Sequence, residues 1–204
     1  SVKFRILNPE LWWPNSIGKP TLYHFTGKLF INGYLVDSIR TQTGIRTISL
    51  FRDDDEYGRS FYFQVNGLPV FMKGTNLVPP DPFLTQNSDS EYVRLASDAS
   101  RVGMNMIRVW GGGAYAPESF YNACDSLGIL VWQDLMFANG MYPADSGFVS
   151  TVKQEIVQQG RRISNHPSLA IWCGNNEADV AWKNWGWQKE FQLSADDSAH
   201  IYNN

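Results

Sequence analysis

Four short apolar runs in the second half of the chain each end in polar residues, and those endings hold the side chains best suited to chemistry. They read Lys73-Gly74-Thr75-Asn76, then Arg108-Val109-Trp110 with three glycines, then Trp132-Gln133-Asp134, and finally Cys173-Gly174-Asn175-Asn176-Glu177. Glu177 is the leading candidate. A carboxyl group at a strand end, in a cleft lined by aromatics, has its ionised form disfavoured and can serve as a general acid. The plain alternative is a Glu in the first turn of a following helix. Asn176 beside it weighs against that alternative, because a neutral amide can bond a substrate hydroxyl without competing for the proton.

Arg108 lies in residues 104–110, where period-two alternation predicts a shared face with Met104, Met106 and Trp110. A guanidinium turned inward needs a carboxylate partner, and Asp134 and Glu177 are the candidates. Trp110 offers a flat apolar wall, and Gly111 to Gly113 remove side chains so that backbone or ligand can come close. Neither nucleotide-binding glycine pattern is present. The three histidines share no spacing, and His166-Pro167 reads as a structural turn closing a helix. Cys124 and Cys173 stand far apart with no metal-ligand or redox spacing, so no metal or cofactor is expected.

These residues need a scaffold. After residue 60, strand-like runs near 70–74, 104–110, 129–135 and 169–174 alternate with helical ones near 89–102, 117–127 and 148–164. That order implies parallel pairing with right-handed crossovers, which gathers the strand ends at one mouth. Ser88 or Ser90 suits a helix N-cap, Pro117 a first helical position, and Gly103 and Gly128 helix C-termini. Before residue 60 the pattern changes to alternating segments at 2–6, 23–30, 34–39 and 45–51, which predict antiparallel strands of a sandwich. Residues 61–72, turning at Asn66-Gly67, predict a type I′ hairpin leading into the second part. The acidic run from Asp53 to Glu56 predicts a solvated loop.

Bulk properties exclude some classes of function. Across 204 residues the net charge is −3 with both signs interspersed, so no nucleic-acid or anionic-membrane footprint exists. There is no apolar run of about 18 residues for a membrane span. The absence of any N-x-[ST] acceptor favours a bacterial periplasmic or cytoplasmic setting over a lysosomal one.

Several stretches together resemble the β-mannosidase branch of glycoside hydrolase family 2. They are K-G-T-N at 73–76 with Asp81 beyond, R-V-W-G-G-G-A-Y at 108–115, F-Y-N-A-C-D-S-L-G-I-L-V-W-Q-D at 120–134, and H-P-S-L-A-I-W-C-G-N-N-E at 166–177. The part around Leu11-Trp12-Trp13-Pro14 is similar to the immunoglobulin-like domain that precedes the barrel in that family. The resemblance implies Glu177 as acid/base, Asn176 near the sugar 2-hydroxyl, Trp110 in the glycone pocket, and Arg108 as a support for the nucleophile. It implies Asp134 and Asn76 as further pocket residues. Leu77-Val78-Pro79 stands where Trp-Ile-Pro is usual, and Ala116 where an acidic residue is common, which bears on substrate preference.

The expectation is a multidomain β and α/β protein. Residues 1–58 would be the C-terminal part of an immunoglobulin-like β-sandwich, and residues 59–204 the N-terminal half of a (β/α)8 TIM barrel, since only four of eight strand units are visible. The expected partner is a terminal β-mannoside or mannose-containing oligosaccharide, cleaved with retention. The nucleophilic carboxylate is expected beyond residue 204, so these residues alone should be inactive, and open sheet edges predict self-association. The rival readings are a β-galactosidase or β-glucuronidase of the same family and a non-catalytic carbohydrate-binding module.

Overall fold

A computed structural model describes residues 3–143, 145–192 and 194. The amino-terminal part is antiparallel. Strands β1 (Tyr23–Ile31) and β2 (Tyr34–Thr43) form a hairpin, and Asn32 and Gly33, both at positive φ, make its turn. Strand β3 (Ile48–Phe51) is followed by a small hairpin of β4 (Asp54–Asp55) and β5 (Gly58–Arg59), then by β6 (Tyr62–Val65) and β7 (Leu68–Val70). The predicted Asn66-Gly67 turn joins β6 to β7 with φ of 49° and 83°. The three-stranded order β3-β6-β7 links residues on both sides of position 58.

The second part is a parallel sheet ordered β11-β10-β9-β8, made of β8 (Gly74–Leu77), β9 (Met106–Val109), β10 (Leu130–Asp134) and β11 (Leu169–Cys173). Helices α1 (Asp89–Arg101), α2 (Glu118–Leu127) and α3 (Ser146–Ile163) connect these strands, and α4 (Ala178–Asn184) and α5 (Trp187–Glu190) follow. The chain is therefore β and α/β. Ser88 caps α1 by accepting from Glu91 N, and left-handed Gly128 ends α2.

Period-two alternation sorts the core into two layers. Ile107, Val109 and Val131 pack against Tyr92, Phe120 and Ile163 of the helices. On the opposite face Met106 and Leu130 pack against Trp12, Phe63, Val65 and Val70, so the antiparallel part fills that side. Trp12, with no exposed surface, also donates from Nε1 to Asp125 O at 2.8 Å.

Several expectations need correction. Residues 3–6 form no strand, and the first parallel strand begins at Gly74 rather than near Val70. A Cβ at Gly74 would sit 2.0 Å from Met106 O, so only glycine allows that pairing. Met104 packs with the helix-side layer, away from Met106. The cause is Asn105, whose Oδ1 accepts Lys73 N at 2.8 Å and whose Nδ2 donates to Phe71 O at 3.0 Å, so β9 starts only at Met106. Pro117 is the N-cap of α2 rather than its first residue. Residues 54–55 are paired in the small hairpin, and Asp54 is bridged to Arg59 at 2.7 Å. Hairpin β1–β2 leaves Leu29, Phe30, Ile31, Tyr34, Leu35, Val36 and Ile39 exposed, with no second sheet against it among the described residues.

Candidate active site

Arg108 near the end of β9, Asp134 at the end of β10 and Asn176 just past β11 converge at the carboxyl ends of the parallel strands. In register, Asn76, Arg108, Trp132 and Ile171 lie side by side across the sheet. Of the two candidate partners for Arg108, the structure selects Asp134. Arg108 Nε donates to Asp134 Oδ1 at 3.2 Å and Nη2 to Oδ2 at 2.7 Å, the forked geometry of a strong charge-assisted pair. Trp132 Nε1 donates to Oδ1 at 3.0 Å and Gly111 N to Oδ2 at 3.0 Å. Asp134 thus accepts four hydrogen bonds and has no exposed surface. Its carboxylate is thus engaged by four protein donors.

Arg108 extends the network from Nη2 to Asn176 Oδ1 at 2.8 Å, and no hydrogen bond is made by its Nη1 among the described residues. Asn176, also buried, donates from Nδ2 to Asn139 Oδ1 at 3.0 Å and to Glu177 Oε2 at 3.2 Å. Glu177 is exposed and stands at the N-cap of α4 with φ 59°, a left-handed conformation uncommon for a residue with a side chain. Its side chain caps nothing; Asn175 Oδ1 takes Ala178 N at 3.0 Å instead. Asn176 is the only hydrogen-bond partner of the Glu177 carboxylate among the described residues.

Trp110 lies just past β9, half-buried, on a pocket of about 400 Å3 whose lining also includes Gly111 to Gly113, Ala138, Asn139 and Tyr142. Arg108, Asn176 and Glu177 do not line this pocket; they reach its rim through the Asn176–Asn139 bond. The glycines give the walls room rather than cradling a ligand. A Cβ at Gly112 would fall 2.0 Å from the Trp110 ring, and one at Gly111 2.5 Å from both Leu135 O and Phe137 O. Asn76 is exposed on the Arg108 face, and its side chain makes no hydrogen bond among the described residues.

Asn139 and Tyr142 carry much of this rim and were missed in the sequence. Tyr142 Oη accepts Ala138 N at 2.7 Å, and Asn176 N donates to Phe137 O at 2.8 Å, which fixes the loop carrying Asn139. The only local signal was the turn-forming pair Asn139-Gly140. His166, read as structural, is buried with Nδ1 2.6 Å from Asp125 Oδ2 and Nε2 3.0 Å from Glu118 Oε1. Among the described residues no cluster of three or more potential metal ligands occurs, and no helix is long and apolar enough to cross a membrane.

Residues 1–46 match the family described as glycosyl hydrolases family 2. The chain is 42% identical over 179 residues to a β-mannosidase of Rattus norvegicus, which covers 86% of the chain and 20% of that protein. It is 41% identical over 176 residues to β-mannosidase B of Aspergillus terreus, covering 86% and 21%. The crystal structure of a β-D-mannosidase from Dictyoglomus thermophilum superposes with a TM-score of 0.80 at 40% identity, over 97% of this chain and 26% of that one. An exo-chitosanase of Amycolatopsis orientalis shares the fold at 21% identity and a TM-score of 0.68. The chain thus spans about a fifth of the length of the curated relatives it matches.

Proposed function

The chain is a homologue of the β-mannosidases of glycosyl hydrolases family 2, and from that premise we propose that it supplies the proton-donating side of a retaining β-mannosidase site. The observation that carries this reading is the placement of Glu177. Its carboxyl group is exposed, caps no helix and among the described residues meets no cation and only Asn176, which is itself braced by the Arg108–Asp134 pair.

In the proposed reaction Glu177 gives its proton to the departing glycosidic oxygen, then takes one from the water that releases the sugar. Trp110 is the wall on which the mannose ring stacks, and Asn76 lines the same side. Asp134 acts through Arg108, whose unused Nη1 can support a second carboxylate. Retaining chemistry needs that second carboxylate about 5 to 5.5 Å from the first. Asp134 cannot fill the role, since four protein donors consume its lone pairs. We therefore assign no turnover to these 204 residues alone. The parallel sheet corresponds in this reading to the first half of a TIM barrel, and β3, β6 and β7 to the end of an immunoglobulin-like unit. The edges at β8 and β11 favour self-association.

The test has two arms. Methyl β-D-mannopyranoside, titrated into the chain, is expected to shift the Trp110 indole N–H resonance more than the β-glucoside or β-galactoside does. An aryl β-mannoside is expected to be released no faster than by Glu177→Gln. Equal response to all three sugars overturns the mannoside assignment, and turnover above the Glu177→Gln level overturns the assignment of inactivity.

A further inference from the structure

We propose that Asn32 is a site of spontaneous covalent modification, converted through a cyclic imide with Gly33 to aspartate and isoaspartate at the tip of the β1–β2 hairpin. The chemistry is independent of the glycosidase reading.

The reaction needs an Asn followed by a residue whose backbone nitrogen is unhindered, and glycine, without a side chain, is the least hindered. Hydroxide or a buffer base removes the glycine N–H proton, and the nitrogen attacks the asparagine Cγ. A C–N bond forms there, the side-chain nitrogen leaves as ammonia, and a five-membered imide remains. Water then opens the ring at either carbonyl. One opening gives aspartate; the other gives isoaspartate, in which the main chain runs through the former side chain. The balance calls for no oxidant, reductant or enzyme.

Three Asn-Gly pairs occur, at 32–33, 66–67 and 139–140. The first two are matched. Each follows a β-branched residue, Ile31 or Val65, and each turns a hairpin, with φ of 48° and 82° in one and 49° and 83° in the other. Backbone geometry therefore favours neither, and the side chains decide. Asn66 is clamped: its Oδ1 accepts Thr47 N at 2.9 Å, and its Nδ2 donates at 2.9 Å to the backbone oxygen of buried Trp12. Both bonds must break before its Cγ can swing to Gly67 N. Asn32 is exposed, and neither its side chain nor Gly33 N makes a hydrogen bond among the described residues. Its neighbours Phe30, Ile31, Tyr34 and Leu35 are exposed as well, so little packing resists the local opening that ring closure requires. Asn139 stands between the two. Its Oδ1 accepts Asn176 Nδ2 at 3.0 Å, and the nitrogen that would attack, Gly140 N, donates to Ala138 O at 2.7 Å.

The product alters the hairpin. Isoaspartate lengthens the main chain within a two-residue turn that depends on left-handed Asn, so the Ile31–Tyr34 pair is the first to loosen.

Peptide mapping by mass spectrometry tests this, on the chain aged in mildly alkaline buffer with and without urea. In urea, positions 32 and 66 should convert at similar rates, because their sequence context is shared. In the folded chain Asn32 should convert about tenfold or more faster than Asn66, the effect of two hydrogen bonds that must break first. Asn32→Gly, which suits the same turn, should remove the main acidic species that ion exchange resolves on ageing. Equal rates at the two positions in the folded chain, or an Asn32 rate slowed by folding as much as that of Asn66, overturns the proposal. An acidic species undiminished in Asn32→Gly overturns it too.

Discussion

Two polar clusters in this chain are assembled from similar parts and end differently. In one, the Arg108 guanidinium joins Asp134 and Asn176; in the other, the His166 ring lies between Asp125 and Glu118. The histidine cluster is closed. Asp125 Oδ1 accepts Ser168 N at 3.1 Å, its backbone oxygen accepts Trp12 Nε1, and Glu118 also meets Arg162 at 3.5 Å. It ties α2 to the turn before β11 and to the amino-terminal segment. The arginine cluster is closed at Asp134 and open at its far end, where among the described residues Glu177 meets no cation and Asn139 Nδ2 no acceptor. Charge and burial are common to both clusters. What marks the one proposed for chemistry is capacity left unspent at its rim.

The largest effect is expected where the open cluster is itself saturated. Asp134→Ala leaves Arg108, three-quarters buried, without its carboxylate and orphans Trp132 Nε1 and Gly111 N. A loss of about 3 kcal/mol in urea unfolding is expected, the low end for a broken buried pair. Asp125→Ala should cost about 2 to 3 kcal/mol, because the Ser168 N–H and the His166 ring lose a buried acceptor. If either proves neutral, its cluster is not closed in the sense argued above.

A pH dependence separates the clusters further. Burial pulls the His166 pKa down, but hydrogen bonds and negative charge from Asp125 and then Glu118 outweigh it, so the folded value lies above the ordinary histidine range. Arg162 against Glu118, and Arg46 acting on Asp125, are the other charges facing this group. A folded pKa above the unfolded one means the extra stability is complete below about pH 6.5 and fades as pH rises through the folded value. Thermal unfolding followed from pH 6 to 9 should show a declining Tm in the wild-type chain and a flatter profile in His166→Gln. Equal slopes would remove His166 from the account.

Much of the scaffold was legible because it is local. Asn66-Gly67 and Asn32-Gly33 specify positive φ at both turn positions, Ser88 and Gly128 mark helix ends, and alternation in residues 106–109 divides the two core layers. Glu177, Asn176 and Arg108 were legible as polar residues interrupting apolar strand ends. The choice of Asp134 over Glu177 as the arginine partner was not, since one ends β10 and the other follows the neighbouring β11, and only the geometry of the fork separates them. Asn139 was invisible for another reason: its partner lies 37 positions away, and nothing in its own neighbourhood exceeds a turn signal. Of the strand expected at residues 2–6, Val2 lies outside the described residues and residues 3–6 form none, because alternation supplies a face but no pairing partner.

The smallest effect should come from the residue proposed as the proton donor. Glu177 is exposed, makes a single side-chain hydrogen bond and pairs with no cation among the described residues, so Glu177→Gln should alter unfolding free energy by no more than about 0.5 kcal/mol. Its backbone, at φ 59°, gives the carboxyl its direction at the expense of strain that glycine would not carry. Glu177→Gly should therefore be as stable as the wild type or slightly more so, by up to about 1 kcal/mol. Measured side by side in urea, the two variants separate the charge from the backbone. A loss above about 2 kcal/mol in Glu177→Gln would place this carboxylate with the buried, saturated groups, and the distinction between an open cluster and a closed one would fail at its most important residue.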